Sequence, residues 1–120
     1  MWHKEDKQDL LHQKERALLE QEDQIRQDRQ KMMLAEEDYF YHEGAVTSFL
    51  KELSYKYKEL AYLFERLDTE FFHESGKIST SFEEELEALK NQEKKIGHAL
   101  EDLAEERLRL NREEGGAYGF

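Results

Sequence analysis

The stretch EEDYFYHEGAVTSFL, Glu36 to Leu50, sets three consecutive aromatic residues shortly before Gly44. Whether Gly44 ends a helix or sits inside one decides whether the chain folds back there. Leu11, Leu18, Ile25, Met32, Tyr39, Val46, Leu53, Leu60 and Leu67 recur every seven residues, and the series crosses Gly44 in phase. A loop at Gly44 would reset the helical frame, so the unbroken phase predicts one helix running through it. An interior glycine costs about 1 kcal/mol relative to alanine, which a packed seam absorbs. The competing fold is a three-helix bundle reversed at Gly44, supported by His42 just ahead of the glycine. Against it, GAVTSF contains no Pro, Asn or Asp, and neither Thr47 nor Ser48 has a glutamate three residues on.

The clearest turn signal lies further along, in FHESGKISTSFEEE (Phe72–Glu85). Gly76 is able to take the left-handed conformation that stops a helix. Thr80 and Glu83 have the spacing of a capping box that starts one. The expected fold is therefore all-α: an antiparallel, coiled-coil-like hairpin with helix 1 at about 5–74, a turn at 75–80, and helix 2 at about 81–114. GGAYGF, residues 115–120, reads as a flexible tail, with Tyr118 and Phe120 the candidates for a short recognition peptide. Helix 2 carries Phe82, Leu89, Ile96, Leu103 and Leu110 at seven-residue spacing, with Leu86 and Leu100 on the alternate seam beside Glu93 and Arg107. Folding back at Gly76 pairs Phe71 with Phe82, Phe64 with Leu89, Tyr57 with Ile96, Leu53 with Leu100, Leu50 with Leu103, and Val46 with Arg107, which would reach Glu43.

In that register helix 2 runs out opposite about residue 40. The first ~35 residues of helix 1 then overhang by ~50 Å, at 1.5 Å per residue. This arm has one apolar seam, whose alternate positions are Glu15, Glu22, Arg29, Glu36 and Glu43; Leu10, Leu19, Met33 and Leu34 widen the stripe. An isolated polar helix is marginal, so the arm needs a partner. Leu11, Leu18, Ile25, Met32, Met33 and Tyr39 are its expected contact residues. A second strip, Tyr41, Tyr55 and Tyr62, falls on the outer face, with Phe49 and Leu63 towards one flank; tyrosine is favoured in interfaces.

Composition narrows the function classes. Of the 120 residues 39% are charged, none is proline, and the net charge is −11. Such a mixture with heptad periodicity belongs to long helices and coiled coils, and the 12% aromatic content argues against disorder. The negative charge repels nucleic acid and anionic lipid. Without cysteine there is no disulfide scaffold, Cys-based zinc site or thiol nucleophile. No apolar run approaches the ~18 residues of a membrane span, and MWHKEDKQDLLHQKE lacks the apolar core of a secretory signal. The expectation is a cytoplasmic protein, any export using a route without a cleavable signal. Glu70 and His73 form one Glu-x-x-His, whereas a di-iron bundle needs two such pairs and two further glutamates. No other constellation of catalytic, metal-binding or cofactor-binding residues is present, so no enzyme is expected.

Four stretches carry a family resemblance: QEDQIRQDRQKM (21–32), EEDYFYHEG (36–44), FFHESGKISTSFEEELEALKNQEKKI (71–96) and EDLAEERLRLNREE (101–114). In pattern and length the chain resembles the small acidic helical proteins that accompany LXG-type toxins of the type VII secretion system in Gram-positive bacteria. It is similar to the class of them less like the WXG family. The resemblance implies a non-enzymatic adaptor or chaperone that binds the helical N-terminal domain of a cognate toxin, with a small WXG-like partner, for export. Ser75-Gly76-Lys77 stands where a WXG protein has Trp-x-Gly. Phe64 to Asp68 matches the Phe-x-x-x-Asp export motif of the companion family but falls on the packing seam, and Tyr39 to Glu43 echoes Tyr-x-x-x-Asp/Glu within a helix. A self-associating structural coiled coil is the rival reading, with a homodimer when alone. In register, the glutamates at 15, 22, 36 and 43 make the arm a poor match for itself.

Overall fold

The structure, a computed structural model, describes residues 4–117, and side chains from 5 to 113. Helix α1 spans Lys4–Lys56, a single 3-10 turn spans Lys58–Leu60, and helix α2 spans Ala61–Ala117. The fold is all-α, two long helices packed against each other as an antiparallel hairpin. Glu5 and Asp6 in the first turn of α1 and Lys56 in its last suit the helix dipole. Glycine does not interrupt either helix: Gly44 lies inside α1 and Gly76 inside α2. Tyr118 and Phe120 lie outside the described residues, and α2 continues through Gly115 and Gly116, where a tail was expected.

The reversal is thus at Tyr57–Leu60 and not at 75–80, which corrects the expected helix boundaries. Tyr57 leaves the helical region at φ −117°, ψ 71°. Its N–H still donates to the Leu53 carbonyl at 2.8 Å, and its carbonyl accepts from Leu60 N–H at 2.9 Å. Ala61 resumes helical geometry at φ −53°, ψ −43°. No residue here needs a left-handed backbone, so the turn requires neither glycine nor proline. At the expected turn the hydroxyls do other work. Thr80 Oγ1 donates to the Gly76 carbonyl at 3.0 Å and Ser81 Oγ to the Lys77 carbonyl at 3.1 Å. Those bonds back onto the preceding turn belong to a helix interior, and no capping box forms.

Apolar burial explains the choice. A reversal at Gly76 leaves the Leu11–Met32 stripe uncovered, while a reversal at Tyr57–Leu60 gives α1 and α2 comparable lengths of 53 and 57 residues. Each large side chain so covered contributes about 1.5–3 kcal/mol, more than a good local turn signal supplies. The overhanging arm does not exist, and the expected pairings shift accordingly. Phe82 meets Tyr39, with ring centroids 6.0 Å apart, and Phe64 meets Tyr57 at 6.5 Å. Arg107 pairs with Glu15, not with Glu43.

The chain divides into two compact units. The terminal unit comprises the described residues of Met1–Asp28 and Leu89–Phe120; the turn unit is Arg29–Ala88. In the terminal unit Leu11, Ile25, Ile96 and Leu103 are buried. The positions that break its apolar seam match by charge: Arg107 pairs with Glu15, and Arg26 Nε lies 3.8 Å from Glu93. Arg107 Nη2 also lies 3.5 Å from His12 Nδ1. In the turn unit the fully buried residue is polar: Ser75, 2% exposed, accepts a 2.9 Å hydrogen bond from the Tyr39 hydroxyl. Glu43 turns one carboxylate oxygen into this interface, where it meets no hydrogen-bond donor.

Candidate protein interface

The residues expected to form a partner-binding stripe separate into two groups. Leu11 and Ile25 are buried, and Leu18, Met32 and Tyr39 are half-buried. Leu11, Leu18 and Ile25 belong to the terminal unit and Tyr39 packs on Phe82, so these side chains already serve the hairpin's own seam. They are withdrawn as a free surface. Met33, Tyr41, Tyr55 and Tyr62 are exposed, the three tyrosines by 70–79%. Tyr41 and Tyr55 stand on α1 and Tyr62 on α2, across the turn.

Along the outside of α1, Leu34, Tyr41, Ser48 and Tyr55 follow one another at seven-residue spacing and all are exposed. Phe40 and Phe72, 43% and 75% exposed, are large apolar side chains that sequence reasoning left unassigned. Val46, Leu60 and Leu67 extend the seven-residue series and by that spacing belong on the seam. In the structure they are exposed by 38%, 45% and 42%. Beyond the turn that periodicity is coincidental: α2 packs through Phe64, Phe71, Ser75 and Phe82.

Exposed large hydrophobic residues gather in one unit. Among the described residues, fourteen of the seventeen lie between Met33 and Ile78, all in the turn unit; Leu10, Leu19 and Leu108 make up the rest. Scattered single residues of this kind are ordinary, but a concentration marks an interaction surface. Exposed hydrophobics on the hairpin point to a protein partner. Among the described residues, no group of three or more His, Asp or Glu could hold a metal ion, and no helix is long and apolar enough to cross a membrane. The clefts between the helices are open: in one Gln8, Asp9 and His12 face Arg107 and Asn111, and in another, mainly apolar, Ala17 and Leu18 face Ala99 and Leu103. No protein-family model, curated protein or solved structure matches the chain.

Proposed function

We propose that this protein is a non-enzymatic helical adaptor that binds the helical N-terminal domain of an LXG-type toxin, together with a small WXG-like protein, and targets that cargo for type VII secretion. The observation that supports a binding role is the crowding of exposed aromatic and aliphatic residues into the turn unit. The toxin and the secretion route come from the four stretches that resemble the accessory family. The binding surface moves from the N-terminal arm to the residues around the turn, because the arm's stripe is covered within the hairpin.

Co-purification with the N-terminal domain of a candidate toxin, and with its small helical neighbour, tests the proposal. Light scattering on the eluted material should give the mass of a complex containing all the chains added. A stable homodimer of this chain that ignores the toxin domain would sink it in favour of a self-associating coiled coil.

A further inference from the structure

One residue separates this hairpin from a single helix. Among the described residues from Lys4 to Ala117, Tyr57 alone is in neither an α-helix nor a 3-10 turn. Its N–H keeps an α-helical bond to the Leu53 carbonyl, and its side chain caps nothing in the turn that follows. SYKYKEL (54–60) supplies Lys, Glu and Leu, which favour helix, and no residue that stops one. A break here leaves backbone groups at the end of α1 and the start of α2 without intrahelical partners, and an unbroken helix would bond them.

The two packing faces also line up along such a helix. Five turns of α-helix take about eighteen residues, so positions that far apart share one face. Eighteen residues after Glu43, Leu50 and Leu53 of α1 stand Ala61, Asp68 and Phe71 of α2, and all six are half-buried. With Tyr57 helical, one face of one helix would carry the seam residues of both. A hairpin does not require this match, because after a reversal the second seam starts at whatever angle the turn sets.

An open chain cannot cover its own seam, and the surface that fits it is the same seam on a second copy. We infer that the hairpin opens at Tyr57 into one continuous helix, and that two open copies exchange halves, α1 of each packing on α2 of the other. The contacts of the hairpin are then made between chains, Tyr39 with Ser75 and Arg107 with Glu15 included. Such an exchange is a low-cost route to a dimer, since only the hinge changes conformation. New contact arises where the two hinges cross. Tyr57 and Leu60, 47% and 45% exposed in the hairpin, lie at that crossing. The chain's charge of −11 does not oppose it there, because residues 46–67 hold four Lys and Arg against three Glu. The inference uses only the hairpin's own seam and stands apart from the adaptor reading.

The full chain, refolded from urea at low and at high concentration, is tested by size-exclusion chromatography with light scattering. It should give a 14.5 kDa monomer and a species of twice that mass whose share grows with concentration. On dilution the dimer should return to monomer no faster than the hairpin unfolds, because the whole seam must part. Return within the mixing time would mean closed hairpins side by side and would overturn the inference. Cross-linking identifies the exchange directly, since the parent chain has no cysteine. Ala17 and Ala99 line one cleft, so an Ala17→Cys, Ala99→Cys double variant should close within the monomer under a short bis-maleimide. The two single variants, refolded together at high concentration, should be joined chain to chain in the dimer; a dimer that is not joined overturns the inference. Tyr57→Ala favours helix at the hinge and removes the ring from Phe64, and with two hinges per dimer should raise the association constant ~10-fold or more. Gly-Ser-Gly inserted after Tyr57 breaks the continuous helix and should lower it ~10-fold or more. A dimer indifferent to both changes, or a monomer at every concentration in parent and Tyr57→Ala alike, overturns the inference. Toxin-domain binding is measured on the monomer peak, so the two readings fail separately.

Discussion

The terminal unit and the turn unit are cut from the same two helices but dispose of their apolar residues in opposite ways. In the terminal unit four aliphatic residues are buried, and the charged interruptions of the seam meet opposite charges across it. The turn unit contains every aromatic residue whose side chain is described, eleven in all, yet its one fully buried residue is Ser75. Burial stabilises a helix pair in proportion to apolar area removed from water. The unit with fewer large side chains therefore contributes more of them to its own core. The richer unit keeps most of its large side chains outside.

The most severe way to break this comparison is truncation in each unit. Leu103→Ala should cost about 3 kcal/mol, as a buried leucine with little room to relax. The thermal midpoint should then fall by roughly 10 °C. Phe72→Ala removes a larger side chain, but one that is 75% exposed, and should stay within about 0.5 kcal/mol of the parent. Thermal unfolding followed by circular dichroism measures both. Equal losses would mean that the turn unit buries more than its exposure indicates, and the contrast would collapse.

A smaller effect sharpens the same contrast. The Tyr39 hydroxyl bonded to buried Ser75 is the polar lock of the turn unit. Tyr39→Phe keeps the ring on Phe82 but removes the donor, and should cost about 1 kcal/mol. Ser75→Ala added to it removes the stranded partner, so the double variant should recover most of the loss. Denaturant titration of the two single variants and the double gives the coupling. A strictly additive result would show that the two hydroxyls do not depend on each other.

What was legible in the sequence follows from which positions were apolar. Phe82, Leu89, Ile96, Leu103 and Leu110 announced the α2 seam, and the phase across Gly44 announced a continuous α1. Both hold. The turn was not legible because SYKYKEL (54–60) contains no glycine, proline, asparagine or aspartate, and Tyr57 needs only an ordinary negative φ. Two accidents reinforced the error. Leu60 and Leu67 prolong the α1 spacing beyond the true reversal. One of the two rows of the α2 seam opens on Ala61, Asp68 and Ser75, which are small or polar, so only Phe64 and Phe71 signal the seam there. Charge did not settle the register either: Arg107, an interruption of the α2 seam, is opposite in sign to Glu15, Glu22, Glu36 and Glu43 alike, and the fold selects Glu15.

The mildest substitution separates the two candidate turns by the sign of its effect. In α2, Gly76 has helical surroundings, and a Cβ built on it meets nothing within 4 Å. Alanine there loses less backbone entropy on folding than glycine and packs against nothing new, so Gly76→Ala should stabilise by about 0.5–1 kcal/mol. Had the chain reversed at Gly76 through a left-handed backbone, alanine would be strained and the substitution would destabilise by a similar amount. Gly44→Ala in α1 should match it in sign, since its Cβ position is also open. A rise in thermal midpoint for both places the reversal at Tyr57–Leu60 and with it the exposed turn unit. A fall for Gly76→Ala alone would restore the reversal at 75–80 and return the Leu11–Met32 stripe to the surface.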